Sequence, residues 1–155
     1  VAQPEHAAVE VRPAVLEDRA GVWPLARDFA TSFVVSEPEF AATFEALVNP
    51  AGSVTDAATG SLLLVAVDPP ADVVGYLLSH THRSFLANGP LVWVEEIMVA
   101  QERRRGGVGR LLMEAAERWA RTNGAAYVSL ASRRAGPFYL SLGYEDSATF
   151  FKKSL

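Results

Sequence analysis

Arg104-Arg105-Gly106-Gly107-Val108-Gly109 is the stretch of this chain whose residue types and spacing most directly suggest chemistry. The glycines let a backbone approach a ligand closely, and the residues that follow recur at helical spacing. The first N–H groups of a helix have no internal partner and lie at the positive end of its dipole, so the stretch suits an anion such as a pyrophosphate-carrying cofactor. A side chain at Gly107 or Gly109 is expected to block that approach. The same residues also fit a plainer role, glycines that start a tightly packed helix beside a solvated triplet, Arg103-Arg104-Arg105. No Gly-Lys-Ser/Thr follows and the G-x-G-x-x-G spacing is absent, which removes the Walker and Rossmann nucleotide loops.

The elements that must position this loop are legible from pattern. Upstream, Val92 to Val99 is β-branched and apolar, within a strand expected over Leu91 to Val99. Downstream, Val108, Leu111, Leu112, Ala115, Ala116, Trp119 and Ala120 share a helical face, and Asn123-Gly124 marks its end. An opening strand is expected over Val9 to Arg12. Asp18 then starts a helix with Val22, Leu25, Ala26, Phe29 and Phe33 on one side, and Ser36 caps a second helix bearing Phe40, Phe44 and Leu47, closed by Pro50. Leu62 to Val67 and Val73 to Leu78, separated by Asp68-Pro69-Pro70-Ala71-Asp72, read as an antiparallel pair. Ala126 to Ala131 reads as a buried strand, Phe138 to Leu142 as a short helix ending at Gly143, and Ala148 to Lys152 as a last strand. The alternation favours an α/β or α+β domain.

Bulk properties set bounds. The 155 residues, half of them hydrophobic, suggest one domain over 1–155 with a sizeable core. With no cysteine there is neither a disulfide framework nor a thiolate nucleophile, which is compatible with a cytoplasmic location. No apolar run reaches the ~18–20 residues of a membrane span, and no signal-peptide pattern opens the chain, so no membrane partner is expected. A net charge of −4 argues against nucleic acid as the main partner. His80 and His82 share a strand face but lack further ligands at convincing spacing, so no metal is expected. Phe150 and Phe151 on a terminal strand would point to opposite faces, leaving one exposed for a homodimer contact.

Two motifs carry a family resemblance. Arg104-Arg105-Gly106-Gly107-Val108-Gly109 resembles the R/Q-x-x-G-x-G/A acyl-CoA signature of the GNAT family of N-acetyltransferases. Ala135-Gly136-Pro137-Phe138-Tyr139-Leu140-Ser141-Leu142-Gly143-Tyr144 resembles that family's A-x-x-F-Y-x-x-x-G-F segment. The resemblance implies a mixed, mostly antiparallel, V-split central sheet flanked by helices, with the cofactor arm between the strand before the glycine loop and the strand after its helix. It also implies acetyl-CoA as acyl donor, bound by backbone groups of Ile97, Met98 and Val99. The pyrophosphate would lie against Gly106, Gly107 and Gly109 and the amides of Arg105, Val108 and Arg110, with Arg104 adding a charge-assisted contact.

The implied activity is direct transfer of an acetyl group to a primary amine in a ternary complex, the amine belonging to a small molecule or a peptide. Tyr139 matches the family's usual acid, which protonates the leaving sulfur. Glu95 is the candidate base. By strand alternation it shares a face with Val99 while Glu96 and Met98 take the other, unless a bulge changes the parity. Backbone N–H groups near Val99 would stabilise the oxyanion. Where the family often has an asparagine contacting the cofactor arm, this chain has Ser132, which keeps a hydroxyl but loses the amide. Trp93, Phe33, Phe40 and Phe85 suit either an acceptor pocket or the core. The same fold without productive acid–base geometry would be a non-catalytic acyl-CoA-binding or regulatory module.

Overall fold

The computed structural model describes residues 8–48 and 60–155. Among the described residues five strands form one sheet in sequence order: β1 (Glu10–Pro13), β2 (Gly60–Asp68), β3 (Asp72–Ser84), β4 (Gly89–Val99) and β5 (Val128–Leu130). The first four are antiparallel neighbours, and β5 joins β4 in parallel. The expected hairpin is β2–β3, turning at Asp68 to Asp72.

Helices cover both faces. On one, α3 (Val108–Thr122) buries Val108, Leu112, Met113 and Ala116 against Leu64, Ala66, Leu77 and Val94, and Ala120 is buried further along it. Its expected stripe holds except for Leu111, which is exposed, while Met113 takes a buried place. The short α4 (Gly136–Ser141) joins this layer through Tyr139. On the opposite face, α1 (Arg19–Phe29) and α2 (Glu37–Val48) contribute Val22, Leu25, Ala26 and Phe44 to a core with Val65 and Tyr76. Fully burying an aliphatic or aromatic side chain of this kind typically contributes ~1.5–3 kcal/mol.

Sequence and structure differ in several places. Ala148 to Lys152 forms no strand: strand propensity is expressed only where a neighbour supplies a ladder. Phe150 instead stacks on Trp93 with centroids 6.4 Å apart, and the Lys152 ammonium sits 4.5 Å over the Phe33 ring. Phe33 lies beyond the end of α1 and is exposed. The last sheet strand is only Val128–Leu130 and half-buried, because it is an edge with β4 as its one neighbour. Pro50 lies outside the described residues. No helix among the described residues is long and apolar enough to cross a membrane.

Candidate functional site

The site begins where β4 and β5 part. Their pairing runs Val92↔Val128, Trp93↔Ser129 and Val94↔Leu130 and then stops, while β4 continues to Val99. At the same point β4 carries a bulge, since Leu78 pairs with Glu96 and the next β3 residue, Ser79, pairs with Val94. Glu95 is therefore the extra residue and is exposed. A bulge bends its strand and increases local twist, which suits a strand leaving its neighbour.

Beyond the bulge, the backbone side that would face β5 is open. Ala100 N–H donates to the Val74 carbonyl at 2.8 Å, so within that trans peptide the Val99 carbonyl points away from β3. There it accepts from Arg104 Nε at 3.1 Å. Since the N–H and C=O of an extended residue share a side, the N–H groups of Val99 and Ile97 also face the opening. The backbone groups of Met98, by the same alternation, face β3.

The loop to α3 follows at once. Arg104 ties it to the strand end, and Arg103 reaches back to Asp68 at 2.6 Å. Arg105 has a φ of 64° and Gly107 a φ of 86°, both left-handed. The first main-chain bond of the helix is Leu111 N–H to the Gly107 carbonyl. Among the described residues, the amides from Arg105 through Arg110 have no acceptor, and no side chain caps α3. Converging unpaired amides at the positive end of a fifteen-residue helix fit a pyrophosphate. A Cβ at Gly107 would extend into open space. At Gly109 it would come within 3.2 Å of Phe138, so this glycine admits α4 against α3.

Gly75, which the sequence reading passed over, sits opposite Val99 on β3. A Cβ there would lie 3.1 Å from the Met98 carbonyl oxygen, 3.2 Å from Leu112 and 3.3 Å from Val108. Its lack of a side chain lets the start of α3 settle on the sheet beside the end of β4. A glycine interior to an apolar strand was the available signal.

Tyr139 is buried in the core that contains Val94 and Val108, with its ring edge-on to Phe138 and Tyr144. Burial raises its pKa. Its hydroxyl has no hydrogen-bond partner among the described residues, whereas Tyr76 donates to Glu96 and Tyr144 to Glu117. Ser132 Oγ accepts from Ala135 N–H at 3.1 Å, so its oxygen helps shape the turn into α4. His80 Nδ1 lies 2.8 Å from Ser61 Oγ, and Phe85 is exposed.

On the α1–α2 face, Glu96 and Met98 share the side of Tyr76, as alternation from Glu96 onward requires. Tyr76 OH donates to Glu96 Oε2 at 2.7 Å; burial, followed by the neighbouring carboxylate, raises the Tyr76 pKa strongly. Glu96 lines a partly open cavity of about 260 Å³ between α1, α2 and the sheet, with Phe40 and Phe44 in its wall. Of the four aromatics weighed for an acceptor pocket, Trp93, Phe33, Phe40 and Phe85, Phe40 lines it.

The fold has many relatives of known structure. Glucosamine-6-phosphate N-acetyltransferase from Arabidopsis thaliana superposes with a TM-score of 0.79 at 16% identity, over 96% of this chain and 99% of that one. An acetyltransferase from Trypanosoma brucei gives 0.76 at 21% identity, over 96% and 100%. A transcriptional regulator from Bacillus halodurans C-125 gives 0.79 at 19% identity, over 96% and 100%. At these identities the likeness concerns the fold. The sequence profile of the Acetyltransferase (GNAT) family matches residues 22–144, a span that includes the diverging strands, the glycine loop and Tyr139, and the chain therefore belongs to the GNAT acetyltransferase family.

Proposed function

We propose that this chain transfers the acetyl group of acetyl-CoA directly to a primary amine within a ternary complex. The observation that carries the reading is the run of unpaired amides from Arg105 through Arg110, adjoining the open β4 edge at Val99. Acetyl-CoA supplies an activated acyl group and a thiolate leaving group. The α3 amides would hold its pyrophosphate, and the N–H groups of Ile97 and Val99 would align its amide-bearing arm along the strand edge. Arg104, already bound to the Val99 carbonyl, would hold these two parts of the site in register and offer its remaining N–H groups to phosphate.

Two proton transfers complete the reaction. The attacking amine must lose a proton, and the leaving sulfur must gain one. Tyr139 is proposed as the acid: burial keeps its proton on at neutral pH, and its hydroxyl is uncommitted among the described residues. For the base, Glu96 is better situated than Glu95. It is oriented by Tyr76, faces the cavity and keeps Oε1 without a partner among the described residues, whereas Glu95 is exposed at the bulge. No cysteine is present to form a thioester with the protein, which favours direct transfer. Phosphorylated amino sugars, the acceptors suggested by the Arabidopsis enzyme's name, suit this cavity poorly because the charged residues that line it among the described residues, Glu39 and Glu96, are acidic.

Thiol release from acetyl-CoA across a panel of primary amines tests the reading. Amine-dependent release is expected, and Tyr139→Phe should lower kcat by roughly 10²–10⁴-fold with little change in acetyl-CoA affinity. A protein that binds acetyl-CoA yet acetylates no amine would be a binding module instead.

A further inference from the structure

The cavity beside Glu96 is unusual in its walls. Val22, Phe40, Phe44, Leu47, Leu63 and Leu78 line it. Trp23 packs on Phe40 and Phe40 on Phe44, with centroids 5.2 and 5.7 Å apart, so the α1–α2 wall is a connected aromatic array. Its charged lining residues are the carboxylates Glu39 and Glu96. This mostly apolar cavity therefore carries acceptors for a cation, and one of them, Glu96, lies on the β4 segment that has left β5.

We infer that the cavity selects a primary amine borne on an uncharged apolar body of about one ring, such as an arylalkylamine or a branched alkylamine. The amine would be directed at Glu96 Oε1, with the body between α1, α2 and the sheet. This rests on the amine-transfer reading above and names its acceptor class. At about 260 Å³ the chamber is smaller than the ~300–1,000 Å³ usual for drug-sized ligands, which favours a single ring. A polyamine such as spermidine carries three ammonium groups, more than the carboxylates of Glu39 and Glu96 can pair, and the remaining charge would be desolvated against apolar wall. A sugar amine would bring several hydroxyls into a lining that is mostly apolar, with Thr43, Tyr76 and the two carboxylates as its polar side chains among the described residues. An α-amino acid would place its own carboxylate near Glu39 and Glu96, a like-charge repulsion.

The test compares 2-phenylethylamine, spermidine and glucosamine by thiol release from acetyl-CoA, and by calorimetric binding in the presence of CoA. It uses the whole protein and two cavity-filling variants, Ala30→Trp on the α1 side and Thr43→Trp on the α2 side. The expected kcat/KM for 2-phenylethylamine exceeds both others by about tenfold or more, and each variant raises its KM about tenfold with the acetyl-CoA KM unchanged. Equal or better turnover of spermidine or glucosamine overturns the inference. So does a KM for 2-phenylethylamine that stays within about twofold in both folded variants. Should no amine release thiol although CoA binds, the transfer reading fails on its own and calorimetry decides the cavity. Binding of 2-phenylethylamine weakened by both variants sustains the inference, and absence of binding overturns it.

Discussion

Gly107 shows how a single position can be restricted by backbone conformation while space around it is free. Its φ of 86° lies in the left-handed region, yet a Cβ there would meet no heavy atom within 4 Å. Gly107→Ala should therefore fold, at a cost of about 1–2 kcal/mol, and set a methyl group before the α3 amides. The expected outcome is a modest fall in Tm with an acetyl-CoA Kd raised about tenfold, read by calorimetry. Gly109 differs: its hydrogen makes room for Phe138, a packing role that the sequence motif does not distinguish from ligand approach. The glycine loop and Tyr139 were legible because each lies in a short local motif. The respective stations of Glu95 and Glu96 were not, because a bulge is defined by pairing with another strand, here Leu78 and Ser79.

At the scale of elements, the site depends on the seating of α3 against β3 and β4. Gly75 is the contact that permits it, with the Met98 carbonyl oxygen as the least yielding neighbour. Gly75→Val should displace the start of α3, destabilise the protein by about 1–3 kcal/mol and raise the acetyl-CoA KM more than it lowers kcat. Chemical denaturation and steady-state kinetics check the two parts, and an unchanged KM would separate α3 seating from cofactor binding. Periodicity located α3, both helices of the opposite face and the four longer strands, but it ended β3 at Leu78 where the strand runs to Ser84 and carried the first helix to Phe33 where α1 ends at Phe29. It misassigned Ala148 to Lys152, where Phe150 stacks on Trp93 and Lys152 lies over Phe33 without a strand ladder. Apolar patterning reports what must be covered, and the same side chains satisfy it from a strand or from irregular chain.

Across the whole molecule, an ion pair anchors the chain entering α1. Arg12 donates to both carboxylate oxygens of Asp18 at 2.7 and 2.9 Å, and Val15 N–H donates to Oδ2 at 2.8 Å. Burial by itself raises the Asp18 pKa, but the Arg12 and Val15 hydrogen bonds and the guanidinium charge together outweigh it, and the net shift is downward. A carboxylate with a depressed folded pKa stabilises the protein above its unfolded value and ceases to do so as pH falls through the folded one. Asp18→Asn should therefore cost about 1–3 kcal/mol at pH 7, with the difference from the parent protein shrinking below about pH 4, as measured by urea unfolding at both pH values. Sequence by itself determined the layering of helices on a sheet, the glycine loop between β4 and α3 and the family, because these depend on residue periodicity and on contiguous motifs. Tertiary structure alone decided where β5 leaves β4, which glutamate faces the cavity and what lines that cavity, because each depends on side chains far apart in sequence meeting across a sheet.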